Sequence, residues 1–102
     1  MIDATRQCLE YAAKHSLEDV RREPPLQHLF LRNIEILGEA ASKVTEACRV
    51  SHPEIPWRDI IDMRNRIAHG YFDLNLKIVW DTVQEDLPKL LPLLVALAES
   101  ND

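Results

Sequence analysis

Residues 26–48 read LQHLFLRNIEILGEAASKVTEAC. Leu26, Leu29, Phe30, Ile34, Leu37, Ala41, Val44 and Cys48 recur at helical spacing. That spacing puts them on one stripe of a helix of about 23 residues. Arg32, Glu35, Glu39, Lys43 and Glu46 fall mostly on the other side. Asn33 lies on the apolar stripe, so it needs a hydrogen-bond partner or an interface. Gly38 costs roughly 1 kcal/mol against alanine in a helix interior. Its presence there predicts the close approach of another helix.

Upstream, Ile2, Leu9, Ala12 and Ala13, with Tyr11 beside them, mark a sparse first helix over residues 2–14. Ser16-Leu17-Glu18-Asp19 has the form of a capping box, and a short turn follows to about Glu23. Pro24-Pro25 ends that turn, and Pro25 suits the first turn of the next helix. Downstream, residues 49–56 read as a loop bracketed by Pro53 and Pro56. A helix follows from near Trp57 to His69, with Gly70 as its left-handed stop. Tyr71 to Leu74 read as a linker and Asn75 as the cap of a helix burying Leu76, Val79, Trp80 and Val83. Pro88 predicts a kink or restart capped by Asp86, followed by the stripe Leu87, Leu90, Leu91, Leu94 and Leu97. Strand alternation and internal repeats are absent. The expectation is an all-α fold, an up-and-down bundle of four to five helices, in one domain over residues 1–102.

Composition agrees and narrows the function. The 102 residues include only two glycines, too few for a sheet with several tight turns. The net charge of −5 argues against broad, nonspecific nucleic-acid binding, so any such contact must be local or assembled from several subunits. Cys8 and Cys48 fit no metal-ligand spacing and read as small core or near-core residues. No signal peptide and no membrane-length apolar run is found, which predicts a cytoplasmic protein without membrane contact.

The chemistry concentrates in Arg64-Asn65-Arg66-Ile67-Ala68-His69-Gly70-Tyr71. Histidine titrates near neutrality and serves as general acid or base. Arginine presents a permanently charged fork that matches a phosphate. Asparagine can donate to a phosphoryl oxygen or orient the imidazole. Asn65 and His69 are helix neighbours, about 40° apart, whereas Arg64 and His69 are about 140° apart. A two-fold dimer removes that difficulty by bringing the segment in twice. The set suits cleavage of RNA by its own 2′-hydroxyl, without metal or other cofactor, with Arg64 stabilising charge on the phosphoryl oxygens. The residues also admit a plainer reading. The helix dipole favours a histidine at a helix C-terminus, and Arg64 and Arg66 can pair with Asp59 or Asp62. A non-catalytic helical dimer that binds a nucleotide or a nucleotidyltransferase, and a purely structural dimer, remain as alternatives.

The segment from Arg64 to Tyr71 resembles the R-x4-H-x-Y motif of HepT-like toxins in the HEPN superfamily. Arg32 to Ala40 resembles that family's preceding helix, His52 to Ile61 its lead-in, and Ile78 to Val83 with Asp86-Leu87-Pro88 its last segment. The resemblance runs from about Leu26 to Leu94, and the region before Leu26 departs from the pattern. It implies a helical-bundle endoribonuclease toxin, a homodimer with a composite site made of Arg64 and His69 from both copies. Asn65 stands at a position that is usually polar. It also implies a minimal nucleotidyltransferase antitoxin partner, in a type VII toxin–antitoxin system, that silences the toxin by transferring AMP to Tyr71. His15, His28 and His52 fit no ligand spacing, and Trp57 and Trp80 read as core anchors.

Overall fold

A computed structural model describes the backbone of residues 1–68 and 72–100, and their side chains except at 67, 68, 72–75 and 100. The elements in order are α1 (Ile2–Lys14), α2 (Leu17–Arg22), α3 (Pro24–Lys43), α4 (Glu46–Ser51), α5 (Trp57–Ala68), α6 (Phe72–Asp81) and α7 (Leu87–Ser100). A π-helical turn, Thr82–Asp86, joins the last two. No strand occurs among the described residues, so the all-α expectation holds.

Helix α3 is the axis of the molecule and packs on α1, α2, α5 and α6. Its stripe of Leu26, Phe30, Ile34, Leu37 and Ala41 is buried, as the periodicity requires. One apolar cluster joins this stripe to Cys8 and Ala12 of α1, Ile55 and Trp57 before and in α5, Leu76 and Val79 of α6, and Leu87, Leu90 and Leu94 of α7. Phe30 meets Trp80 edge-on, with ring centroids 6.2 Å apart.

Asn33 finds its partner across the α1–α3 seam, where its side-chain amide donates to Gln7 Oε1 at 2.7 Å. Cys8 is fully buried beside it, and burial pushes its thiol up to about 12 despite a hydrogen bond with Asn33. The capping box forms as read. The Asp19 amide donates to Ser16 Oγ at 3.2 Å, and the Ser16 amide donates to Asp19 Oδ2 at 2.9 Å. Both prolines sit in the first turn of α3, where a missing N–H leaves no bond unmade.

Three boundaries differ from the sequence expectation. Helix α3 ends at Lys43 and does not run on to Cys48. Val44 is extended, and the Thr45 hydroxyl accepts from the Cys48 amide at 3.2 Å, so Thr45 starts the separate helix α4 inside the expected loop. A side-chain cap offered to the backbone here outweighs continuation of the apolar stripe. Helix α6 begins at Phe72, so Asn75 lies within it and is not its cap. At Pro88 the expected restart is found: α6 ends at Asp81 and α7 begins at Leu87. The chain stays helical through a π turn, Leu87 N–H donating to Thr82 O, and Pro88 falls in the first turn of α7. The wider turn accommodates a residue that has no N–H to donate.

Candidate functional site

Helix α5 carries the first half of the motif and is held firmly at its start. Ile55 and Trp57 are buried, and the Trp57 indole N–H donates to His52 O at 3.1 Å. Arg49 of α4 clamps the neighbouring end of α3. Its Nη2 donates to Ala41 O at 3.0 Å and to Ser42 O at 3.2 Å, placing a cation on the helix's C-terminal carbonyls.

Arg64 sits where α5 crosses α3. A Cβ at position 38 would collide with Arg64 Cβ and stand 2.6 Å from its Cγ. Only glycine allows the two backbones this close, which is the approach that Gly38 announced. Arg64 is half-buried. Its Nε is buried and has no acceptor among the described residues. A buried donor left unmatched costs about 1–3 kcal/mol.

Asn65 follows one residue later, about 100° round the helix. It is exposed and lines an open groove of about 780 Å³ beside Arg49, Trp57, Arg58 and Asp62. Arg64 and Asn65 therefore leave α5 on different sides, one into the α3 crossing and one into the groove. His69, Gly70 and Tyr71 lie outside the described residues. The local charge fits an anion better than the whole chain does. Three arginines stand on α5 against two aspartates, in a molecule of net charge −5.

A second groove, of about 630 Å³, runs along the other side of α5 towards α7. Ile34, Leu37, Met63, Leu87, Leu90 and Leu93 form its apolar walls. Thr82 and Asp86, the first and last residues of the π turn, also line it. Asp59 and Asp62 border both grooves, so α5 presents an acidic ridge between a polar depression and an apolar one.

Sequence reading missed Arg49 and Arg58 as groove residues. For Arg58 a signal existed, since Arg58, Asp62 and Asn65 follow a single helical face. For Arg49 none did, because it reaches the groove only through the fold. Trp57 proves to be the anchor expected of it, and Trp80 packs partly buried against the core.

The fold is a helical globule that sets an arginine and an asparagine side by side on one short helix. Comparison with known proteins names the family. The description Ribonuclease HepT-like matches residues 1–97. A protein of Caldanaerobacter subterraneus named as an RNase is 37% identical over 75 residues, covering 74% of this chain and 67% of its own. A ribonuclease HepT of Thermococcus cleftensis is 36% identical over 81 residues, covering 79% of this chain and 74% of its own. An RNase of Methanocaldococcus jannaschii is 24% identical over 90 residues, covering 88% of this chain and 83% of its own. No solved structure matches. The chain belongs to the HepT-like ribonuclease family, a family of RNA-hydrolysing enzymes. The match reaches residue 1, which corrects the expectation that the region before Leu26 departs from the family. The buried face of α1 consists largely of small residues, Ala4, Thr5, Cys8 and Ala12, and so carries little apolar pattern to read. No helix among the described residues is long and apolar enough to cross a membrane.

Proposed function

We propose that this chain is the toxin of a toxin–antitoxin pair, a metal-independent endoribonuclease whose site is completed by a second copy. One observation carries the reading. Arg64 and Asn65 diverge from α5, and the stem of Arg64 is locked against Gly38, so one copy presents only half of a phosphate site to any one substrate. The apolar groove between α5 and α7 supplies a surface for the second copy to cover.

In this reading the RNA 2′-oxygen attacks the adjacent phosphorus and passes its proton to His69. The bond to the 5′-oxygen breaks, and that oxygen takes a proton from His69 of the second copy or from water. The products are a 2′,3′-cyclic phosphate and a 5′-hydroxyl. Arg64 stabilises the charge that builds on the phosphoryl oxygens, and Asn65 donates to them or orients the imidazole. Transfer of AMP to Tyr71 by a nucleotidyltransferase antitoxin places bulk and negative charge two residues from His69 and silences the toxin.

The test mixes two inactive variants. His69→Ala is expected to lose cleavage by roughly 10² to 10⁴, and Arg64→Ala to fall as well. Subunits of the two, unfolded and refolded together, are expected to recover cleavage, because a mixed dimer holds one Arg64 and one His69. Mixed dimers that stay inactive would end the composite-site reading. Cleavage of an RNA whose target nucleotide is 2′-deoxy would end the 2′-hydroxyl mechanism, and loss of cleavage in EDTA its independence of metal. Full activity in the presence of the antitoxin and ATP, with no adenylate-sized mass on Tyr71, would end the silencing step.

A further inference from the structure

The open groove beside Asn65 holds an arrangement that RNA cleavage by itself does not require. Arg58, Asp62 and Asn65 stand on one face of α5 and line it together, and Arg49 reaches the same groove from α4. Arg49 is already immobilised by its bonds to Ala41 O and Ser42 O. It therefore loses little side-chain freedom when it takes a ligand. Its guanidinium lines the groove, and a donor not spent on α3 suits a phosphate oxygen.

A groove built only for phosphate would not carry Asp62, nor Asp59 at its edge. Their carboxylates repel an anion, so the ligand must bring hydrogen-bond donors as well as negative charge. In RNA the strong donors outside the sugar are base N–H groups. Guanine alone among the four bases sets two of them side by side, N1–H and N2–H, the pair that a carboxylate accepts bidentately. Trp57 and Ile61 supply apolar wall for a base, and the Trp57 indole N–H is already spent on His52 O. The volume of about 780 Å³ lies within the range of small-ligand sites and is ample for a nucleotide.

We propose that this groove is a guanine-selective nucleotide subsite flanking the scissile phosphate, with Arg49 and Arg58 on the backbone phosphate and Asp62 on the base. The inference rests on the ribonuclease reading for its link to cleavage. Binding can be measured separately, with fluorescent single-stranded 2′-O-methyl oligonucleotides, which cannot undergo 2′-oxygen attack. Two probes differing only in guanine against hypoxanthine, which lacks the N2 amino group, report base reading directly.

The unsubstituted protein is expected to bind the guanine probe about tenfold more tightly. Asp62→Asn is expected to erase that preference while binding persists. Arg58→Ala is expected to weaken both probes alike and to lower the slope of log affinity against log salt by about one. Both residues are exposed, and helical circular dichroism checks that the variants fold. Equal binding of the two probes by the unsubstituted protein, a preference that survives Asp62→Asn, or an unchanged salt slope in Arg58→Ala overturns the subsite. Cleavage of the matching unmodified RNA separates the two readings. A guanine preference lost in Asp62→Asn without any cleavage upholds the subsite and ends the ribonuclease reading. Cleavage indifferent to both substitutions upholds the ribonuclease and ends the subsite.

Discussion

The two sides of α5 are built to opposite specifications. On one side Arg64 lies against Gly38 at a backbone crossing with no room for a methyl group. On the other, Asn65 faces an open groove shared with Arg49, Arg58 and Asp62. The closed side is where a change of a single atom is felt, because packed backbones cannot relax. The open side tolerates changes of shape and responds to changes of charge and hydrogen bonding. A helix that is anchored on one face and accessible on the other positions chemistry without needing a large protein around it.

The largest test of that contrast is Arg64→Lys. Lysine keeps the aliphatic stem and the charge but loses the planar fork and the Nε donor. Stability is expected to change by less than about 1 kcal/mol, while RNA cleavage falls on the order of a hundredfold, in line with loss of one charge-stabilising donor. Stability and activity falling together would mean that Arg64 acts through packing alone.

Gly38→Ala attacks the crossing itself. The added methyl collides with a Cβ that cannot swing away, so the helices must part, and overpacking of this kind costs about 3 kcal/mol. For a chain of this size the melting temperature should drop by more than about 10 °C. An unchanged melting temperature would show that the crossing is looser than the geometry indicates.

The smallest effect probes the other side of α3, where Cys8 and Asn33 face α1. The folded thiol is pushed up to about 12 from an ordinary 9.0. Its contribution to stability is thus complete below about pH 9. It is lost as the pH rises from 9 towards 12, where only the unfolded thiol ionises. Urea titrations across that window should show a steeper alkaline loss for the unsubstituted chain than for Cys8→Ala. Equal slopes would mean that solvent reaches this seam.

Much of this was legible beforehand. The α3 stripe, the Ser16–Asp19 box, the role of Gly38 and the need of Asn33 for a partner follow from spacing and residue chemistry, because each is local or concerns a residue that cannot be satisfied alone. Val44-Thr45 and Asn75 misled for a shared reason. At each, a local preference competes with a backbone arrangement stabilised by packing or by a neighbouring cap, and the sequence does not weigh one against the other. The groove was invisible in part, since Arg49 and Arg58 come from separate helices.

By itself the sequence determined the class of fold, the helix that carries the motif and the residue types available for chemistry, since these depend on periodicity and on functional groups within a few positions. The tertiary structure alone decided which helix meets Gly38, that Arg64 and Asn65 part company, and that Arg49 joins Asp62 in one groove. Those are relations between segments distant in the chain. They arise from how apolar stripes pack around α3, a three-dimensional condition that no single stretch of residues contains.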